Sequence, residues 1–196
     1  GLGDVYKRQS LLLSTRIQAL KAMNRYPEAI VDLTSLFVKD TTDTKILIDL
    51  AECYKLMGSP RQAADYYRKA VSLRPNNKFF RLQYIRSLLN AENFKEARDA
   101  CHGWLEQDTV SATGYKYLGQ AYEGMQDIPN AFFSYNVAYR RDSLDAQTVA
   151  RIANIFNNNR QFTDAIDVTE CYRLSDTTSV DAVSYTHLRA HETPEH

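Results

Sequence analysis

TKILIDLAECYKLMGSPRQAADYYRKAVSLRPNN, residues 44–77, decides the fold. Leu47, Leu50, Ala51 and Tyr54 recur at steps of three and four, as do Ala63, Tyr67 and Ala70. Such spacing lines each set along one face of a helix. Between the two sets lies Gly58-Ser59-Pro60, which stops one helix and starts another, and Pro75 stops the second. The stretch is a helical hairpin, too small to bury its apolar stripe alone.

The same pattern returns along the chain. Alanine stands at Ala29, Ala63, Ala97, Ala131 and Ala165, each 34 residues after the last, with no insertion or deletion. A fixed period of this size is the mark of a solenoid of stacked units. In phase with it run Asp43, Asn77, Ser111, Asp145 and Ser179, each able to cap the helix that follows with a side-chain oxygen. The equivalent place before the first unit holds Gln9, a poor cap. Asp40-Thr41, Asp108-Thr109, Asp142-Ser143 and Asp176-Thr177 mark turns that end the second helices. The pattern predicts five repeats, 10–43, 44–77, 78–111, 112–145 and 146–179. First helices are expected over about 10–23, 44–57, 78–91, 112–125 and 146–158, and second helices over about 27–40, 60–73, 94–107, 128–141 and 162–174.

The residues inside one unit resemble the tetratricopeptide repeat family. The fourth unit carries Tyr115, Leu118, Gly119, Tyr122, Ala131, Tyr135 and Ala138, and the second matches every signature place. The fifth keeps Ile152, Ala153, Phe156 and Ala165 but has Thr169 and Tyr172 where the family prefers an aromatic and an alanine. The third keeps Leu88 and Ala97 with Cys101 and Trp104, and the first has Arg16 at a usually apolar place. The resemblance implies an all-α, right-handed α-solenoid. Ala29, Ala63, Ala97, Gly119, Ala131 and Ala165 are the expected sites of close helix approach. Tyr122 and Tyr135 are expected to fill the space between hairpins.

Both ends read as foreign to this pattern. Gly1 to Gln9 can be encoded so that the reverse complement, in a shifted frame, spells Val183 to Ala190. Both segments resemble translated transposon sequencing adapter. Residues 1–9 and 182–196 are therefore expected to be adapter-derived, and 10–181 an internal fragment of a longer gene. His187, His191 and His196 would otherwise suggest a metal site. They are set aside with the adapter, and no metal or cofactor is expected.

Lysine plus arginine equals aspartate plus glutamate at 24 each, so the charge balance offers nothing to attract nucleic acid. No apolar run is long enough to span a membrane. Cys53, Cys101 and Cys171 lie far apart, as small apolar packing residues would. No nucleophile–base pair or glycine-rich phosphate loop is visible, so no catalysis is expected. The natural N-terminus is expected to be missing, which leaves the compartment open.

In the resembled family the first helices line a concave groove that holds extended peptides or a partner helix. The resemblance places Gln83, Arg86, Asn90, Lys116, Tyr117, Gln120, Arg151 and Asn154 in that groove. Amides and guanidinium forks suit peptide backbone and carboxylates. The expected function is a non-catalytic scaffold for a protein or peptide. The alternative is a regulatory or architectural segment of a larger enzyme or sensor.

Overall fold

The computed structural model describes the backbone of residues 2–176 and the side chains of 9–175. Ser179, the proposed adapter tail and its three histidines lie outside those residues. The described chain is helical: α1 Leu2–Ala22, α2 Tyr26–Phe37, α3 Thr44–Leu56, α4 Pro60–Leu73, α5 Lys78–Asn90, α6 Phe94–Leu105, α7 Ala112–Gly124, α8 Ile128–Arg141, α9 Ala146–Asn158 and α10 Phe162–Asp176. There is no strand among the described residues. The chain forms two compact units, residues 1–100 and 101–196, with the division inside α6. In the first unit α1 to α5 each pack on the next helix in sequence, and α7 to α10 do the same in the second.

Two helices depart from the expected bounds. α1 starts at Leu2, well before residue 10, so the segment read as adapter continues the first helix without a break. Nothing between Leu2 and Ala22 is proline, and extending a formed helix needs no new nucleus. α2 ends at Phe37 rather than near 40, where Asp40 Oδ1 takes the backbone N–H and the hydroxyl of Thr42 in a local turn.

Side-chain capping explains the starts of α3, α5 and α7. Asp43 accepts from the N–H of Lys45, Asn77 from Phe80, and Ser111 from Gly114. Asp145 departs from the expected role. Its carboxylate takes the hydroxyl of Thr148 at 2.5 Å and the ammonium of Lys116 at 3.2 Å instead of a helix N–H.

The hairpin turns share one backbone device. Asn24, Gly58, Glu92, Gln126 and Arg160, one period apart, all have φ between +57° and +72°. At each turn the next N–H reaches back five residues: Arg25 to Leu20, Ser59 to Tyr54, Asn93 to Leu88, Asp127 to Tyr122 and Gln161 to Phe156, all at 2.9 Å. This is the Schellman closure, which satisfies carbonyls left open at a helix end. Only one of the five left-handed positions is glycine.

The core follows the repeat. Ala29, Ala63, Ala97 and Ala131 are wholly buried, and Ala165 nearly so. Gly119 marks a close approach of α7 and α8: a Cβ there would lie 2.5 Å from the Tyr135 ring. Tyr67 and Tyr135 are wholly buried, whereas Tyr122 is only half-buried, with its hydroxyl 3.3 Å from His102 Nε2. Tyr122 packs against the buried cluster of Ala131, Tyr135, Ile152 and Ile155. Trp104 is buried, with its indole N–H unpartnered. Arg16 is exposed and reaches the buried Asp32 at 3.3 Å, which explains a charge at that place in the repeat.

Candidate functional site: the first-helix face

Within each compact unit, polar side chains join one odd-numbered helix to the next. The repeat puts residues 28 apart on neighbouring first helices, and two ion pairs have that spacing. In the first unit Lys21 Nζ of α1 lies 2.5 Å from Asp49 Oδ1 and 3.3 Å from Glu52 Oε2 of α3. In the second, Arg151 of α9 donates to both oxygens of Glu123 of α7, at 3.0 and 2.9 Å. The two clamps have the same register and opposite polarity. Burial of Lys21 works against its charge, but Asp49 and then Glu52 outweigh it, so its pKa is raised.

Lys116 of α7 pairs with Asp145 just before α9 and lies over the Tyr117 ring, 5.6 Å from its centroid. Partial burial alone would raise the Asp145 pKa. The hydrogen bonds from Thr148 and Lys116 prevail, and it falls below the ordinary carboxylate value.

These contacts sort the expected groove residues. Lys116 and Arg151 are already bound to carboxylates of the protein, so they hold neighbouring helices together. Gln83 is buried and presents almost no surface. Tyr117 and Gln120 are half-buried on α7, while Asn154 is exposed on α9 and Asn90 at the end of α5. Arg86 stands apart among the three expected cations: it is exposed and pairs with no carboxylate among the described residues.

Sequence reading missed the hydroxyls beneath this face. Tyr135 of α8 donates to Glu123 Oε2 at 2.6 Å, so a second-helix tyrosine reaches the clamp on the first-helix side. Tyr67 of α4 holds the same place one unit earlier, two periods upstream. Its hydroxyl is buried without a hydrogen-bond partner, and Glu52 and Arg86 are the charges that act on it. The residue in the Glu123 position is Lys55, which cannot accept a hydrogen bond. Burial, reinforced by Glu52 and opposed by Arg86, pushes the Tyr67 hydroxyl up to about 12. The signal was present in sequence as the exchange of glutamate for lysine at one repeat position.

A third tyrosine lies on the other side of the hairpins. Tyr84 of α5 donates to Glu96 of α6 at 2.6 Å, and Asn93 donates to the same carboxylate at 2.5 Å. Arg61, Asp65 and Glu92 complete the rim of a cavity of about 470 Å³ there. Among the described residues no cluster of three or more metal-ligating side chains occurs, and no helix is long and apolar enough to cross a membrane.

The comparisons agree with this architecture. The sequence profile of the tetratricopeptide repeat matches residues 44–77. No curated protein sequence matches the chain. Among solved structures, residues 41 to the end of MamA from Desulfovibrio magneticus RS-1 are similar, with a TM-score of 0.70 at 17% identity, covering 87% of this chain and 97% of that one. A further crystal structure of MamA covers 95% of this chain and 97% of its own at 16% identity, with a TM-score of 0.68. PilF of Pseudomonas aeruginosa gives a TM-score of 0.63 at 16% identity, over 90% of this chain and 80% of that one. Identities this low establish a shared fold. Residues 44–77 are thus a tetratricopeptide repeat, and the chain is built on the tetratricopeptide-repeat fold.

Proposed function

We infer that this protein is a non-catalytic scaffold that holds a protein or an extended peptide on the face lined by its first helices. The observation that carries this reading is the polar surface that the repeat core leaves on the first helices of each unit, with Arg86 and Asn90 exposed on α5 in the first and Asn154 exposed on α9 in the second. Arg86, Asn90, Gln120 and Asn154 supply guanidinium and amide groups, and Tyr117 supplies an aromatic surface. Within each unit these groups match the donors and acceptors of an extended backbone. Lys116 and Arg151 belong to this face as clamps that fix the spacing between α7 and α9. Cys101 is buried, with its thiol pushed up to about 12 by burial, which suits a packing role rather than a nucleophile. No nucleic acid, cofactor or metal enters this reading.

Photo-crosslinking tests the face. A photoreactive side chain placed at Arg86, Gln120 or Asn154 should label a partner in cell extract. The same group at Asp99 or Phe133, both exposed on second helices, should label far less. Equal labelling from both sets, or labelling from the second helices alone, would put the binding surface elsewhere.

A further inference from the structure

The first unit contains a donor without an acceptor beside a cation without an anion. Tyr67 is wholly buried, yet its hydroxyl has no hydrogen-bond partner. A buried donor in that state is rare and costly in native proteins. Arg86 stands on α5, which packs directly on the α4 helix that carries Tyr67, and it is exposed with no ion-pair partner among the described residues.

The second unit shows what such a tyrosine does when it is satisfied. Tyr135, two periods later, donates to Glu123, which also takes both contacts from Arg151. One carboxylate there serves a tyrosine hydroxyl and an arginine together. The first unit has the hydroxyl without that carboxylate, because Lys55 replaces the glutamate; the place of Arg151 is held by the buried Gln83, and the arginine of this unit, Arg86, stands three residues further along α5. Glu52 is the nearby anion of the unit, and it is engaged by Lys21.

We propose that Tyr67 and Arg86 form a subsite that takes a side-chain carboxylate from an extended acidic peptide lying on the first-helix face. The incoming carboxylate plays the part that Glu123 plays within the second unit. It accepts the Tyr67 proton donor on one oxygen and the Arg86 guanidinium across both, the strong charge-assisted geometry for this pair of groups. Arg86, long and exposed, swings toward the carboxylate and opens the path to the hydroxyl. Lys21, Lys55 and Arg86 against Asp49 and Glu52 leave the local balance positive, which suits an acidic segment. The proposal deepens the peptide-binding reading above and rests on it.

Fluorescence anisotropy on the full chain tests this with a short labelled peptide of alternating glutamate and alanine, amidated at its C-terminus. The controls are the glutamine isostere, and a glutamine–alanine peptide with a free C-terminal carboxylate. The glutamate peptide should bind at least about tenfold tighter than the amidated glutamine peptide, the size expected of one charge-assisted contact. Arg86→Gln should abolish that preference. Tyr67→Phe should weaken glutamate-peptide binding about fivefold to tenfold while leaving the melting temperature equal or higher, since it removes a buried unpaired group. Arg98→Gln on α6 should change neither, which excludes a general loss of charge.

Glutamate-peptide binding that survives both Tyr67→Phe and Arg86→Gln would overturn the subsite. So would a preference for the free C-terminus over glutamate side chains, or a fall in melting temperature in Tyr67→Phe, which would show that the hydroxyl already has a partner. Absence of binding to all three peptides would overturn the subsite too, and with crosslinking confined to second helices it would remove the peptide-groove reading as well.

Discussion

Gly119 and Tyr135 show how little room one residue leaves another in this fold. The Tyr135 ring occupies the space a Cβ on Gly119 would need, and the ring is wholly buried with its hydroxyl fixed on Glu123. It cannot move aside without losing that bond. Gly119→Ala should therefore destabilise the protein by about 1–3 kcal/mol, the usual cost of overpacking, in denaturant titration. The tyrosines should rank by burial. Tyr135→Ala should cost about 3–5 kcal/mol, and Tyr122→Ala less because Tyr122 is only partly buried. Equal losses would mean that Tyr122 is more deeply packed than the structure shows.

At the scale of the element, the hairpin turn is the decisive unit. Five turns use one left-handed residue and one Schellman closure, yet four of the five put a side chain on it. A non-glycine residue there carries roughly 1–2 kcal/mol of strain, against roughly 0.5–1 kcal/mol of extra chain entropy that glycine would lose. Gln126→Gly and Arg160→Gly should thus each stabilise by about 0.5–1 kcal/mol. Gly58→Ala should destabilise by a similar amount. Chemical denaturation of the three variants checks the signs together, and a destabilising Gln126→Gly would contradict the assigned backbone. The caps belong to this scale too. Asp145 has exchanged a helix-capping bond for Thr148 and Lys116, so its removal loosens a link between first helices as well as a helix start.

At the scale of the molecule, stability should depend on pH from both sides. Tyr67, Tyr84 and Tyr135 all have raised pKa values in the folded protein, with burial as the main cause and Glu96 and Glu123 adding to it for the last two. Groups raised in this way contribute stability that is complete below the unfolded tyrosine value of about 10 and is lost as pH rises through the folded values. Melting temperature should hold to about pH 10 and then fall, less steeply in Tyr67→Phe. Asp145 acts in the opposite sense. Its lowered pKa gives stability that is present above the unfolded carboxylate value of about 4 and disappears as pH falls through the folded one. A melting temperature flat from neutral to strongly alkaline pH would contradict the burial of the three hydroxyls.

The sequence by itself determined the hairpin, the period of 34 and the alanines at the helix contacts. Those features are local or periodic: helix spacing, turn residues and small side chains leave their mark on every unit. It also named the polar residues on the first-helix face, because a repeat places equivalent positions alike. It could not say which of them are spoken for. Lys116, Arg86 and Arg151 are all first-helix cations in sequence, and only tertiary structure put Asp145 and Glu123 beside two of them and no carboxylate among the described residues beside the third. The buried amide of Gln83, the partial burial of Tyr122 and the orphaned hydroxyl of Tyr67 were decided the same way. Burial and pairing depend on what a neighbouring hairpin brings into reach, and one helix's own pattern does not contain that information.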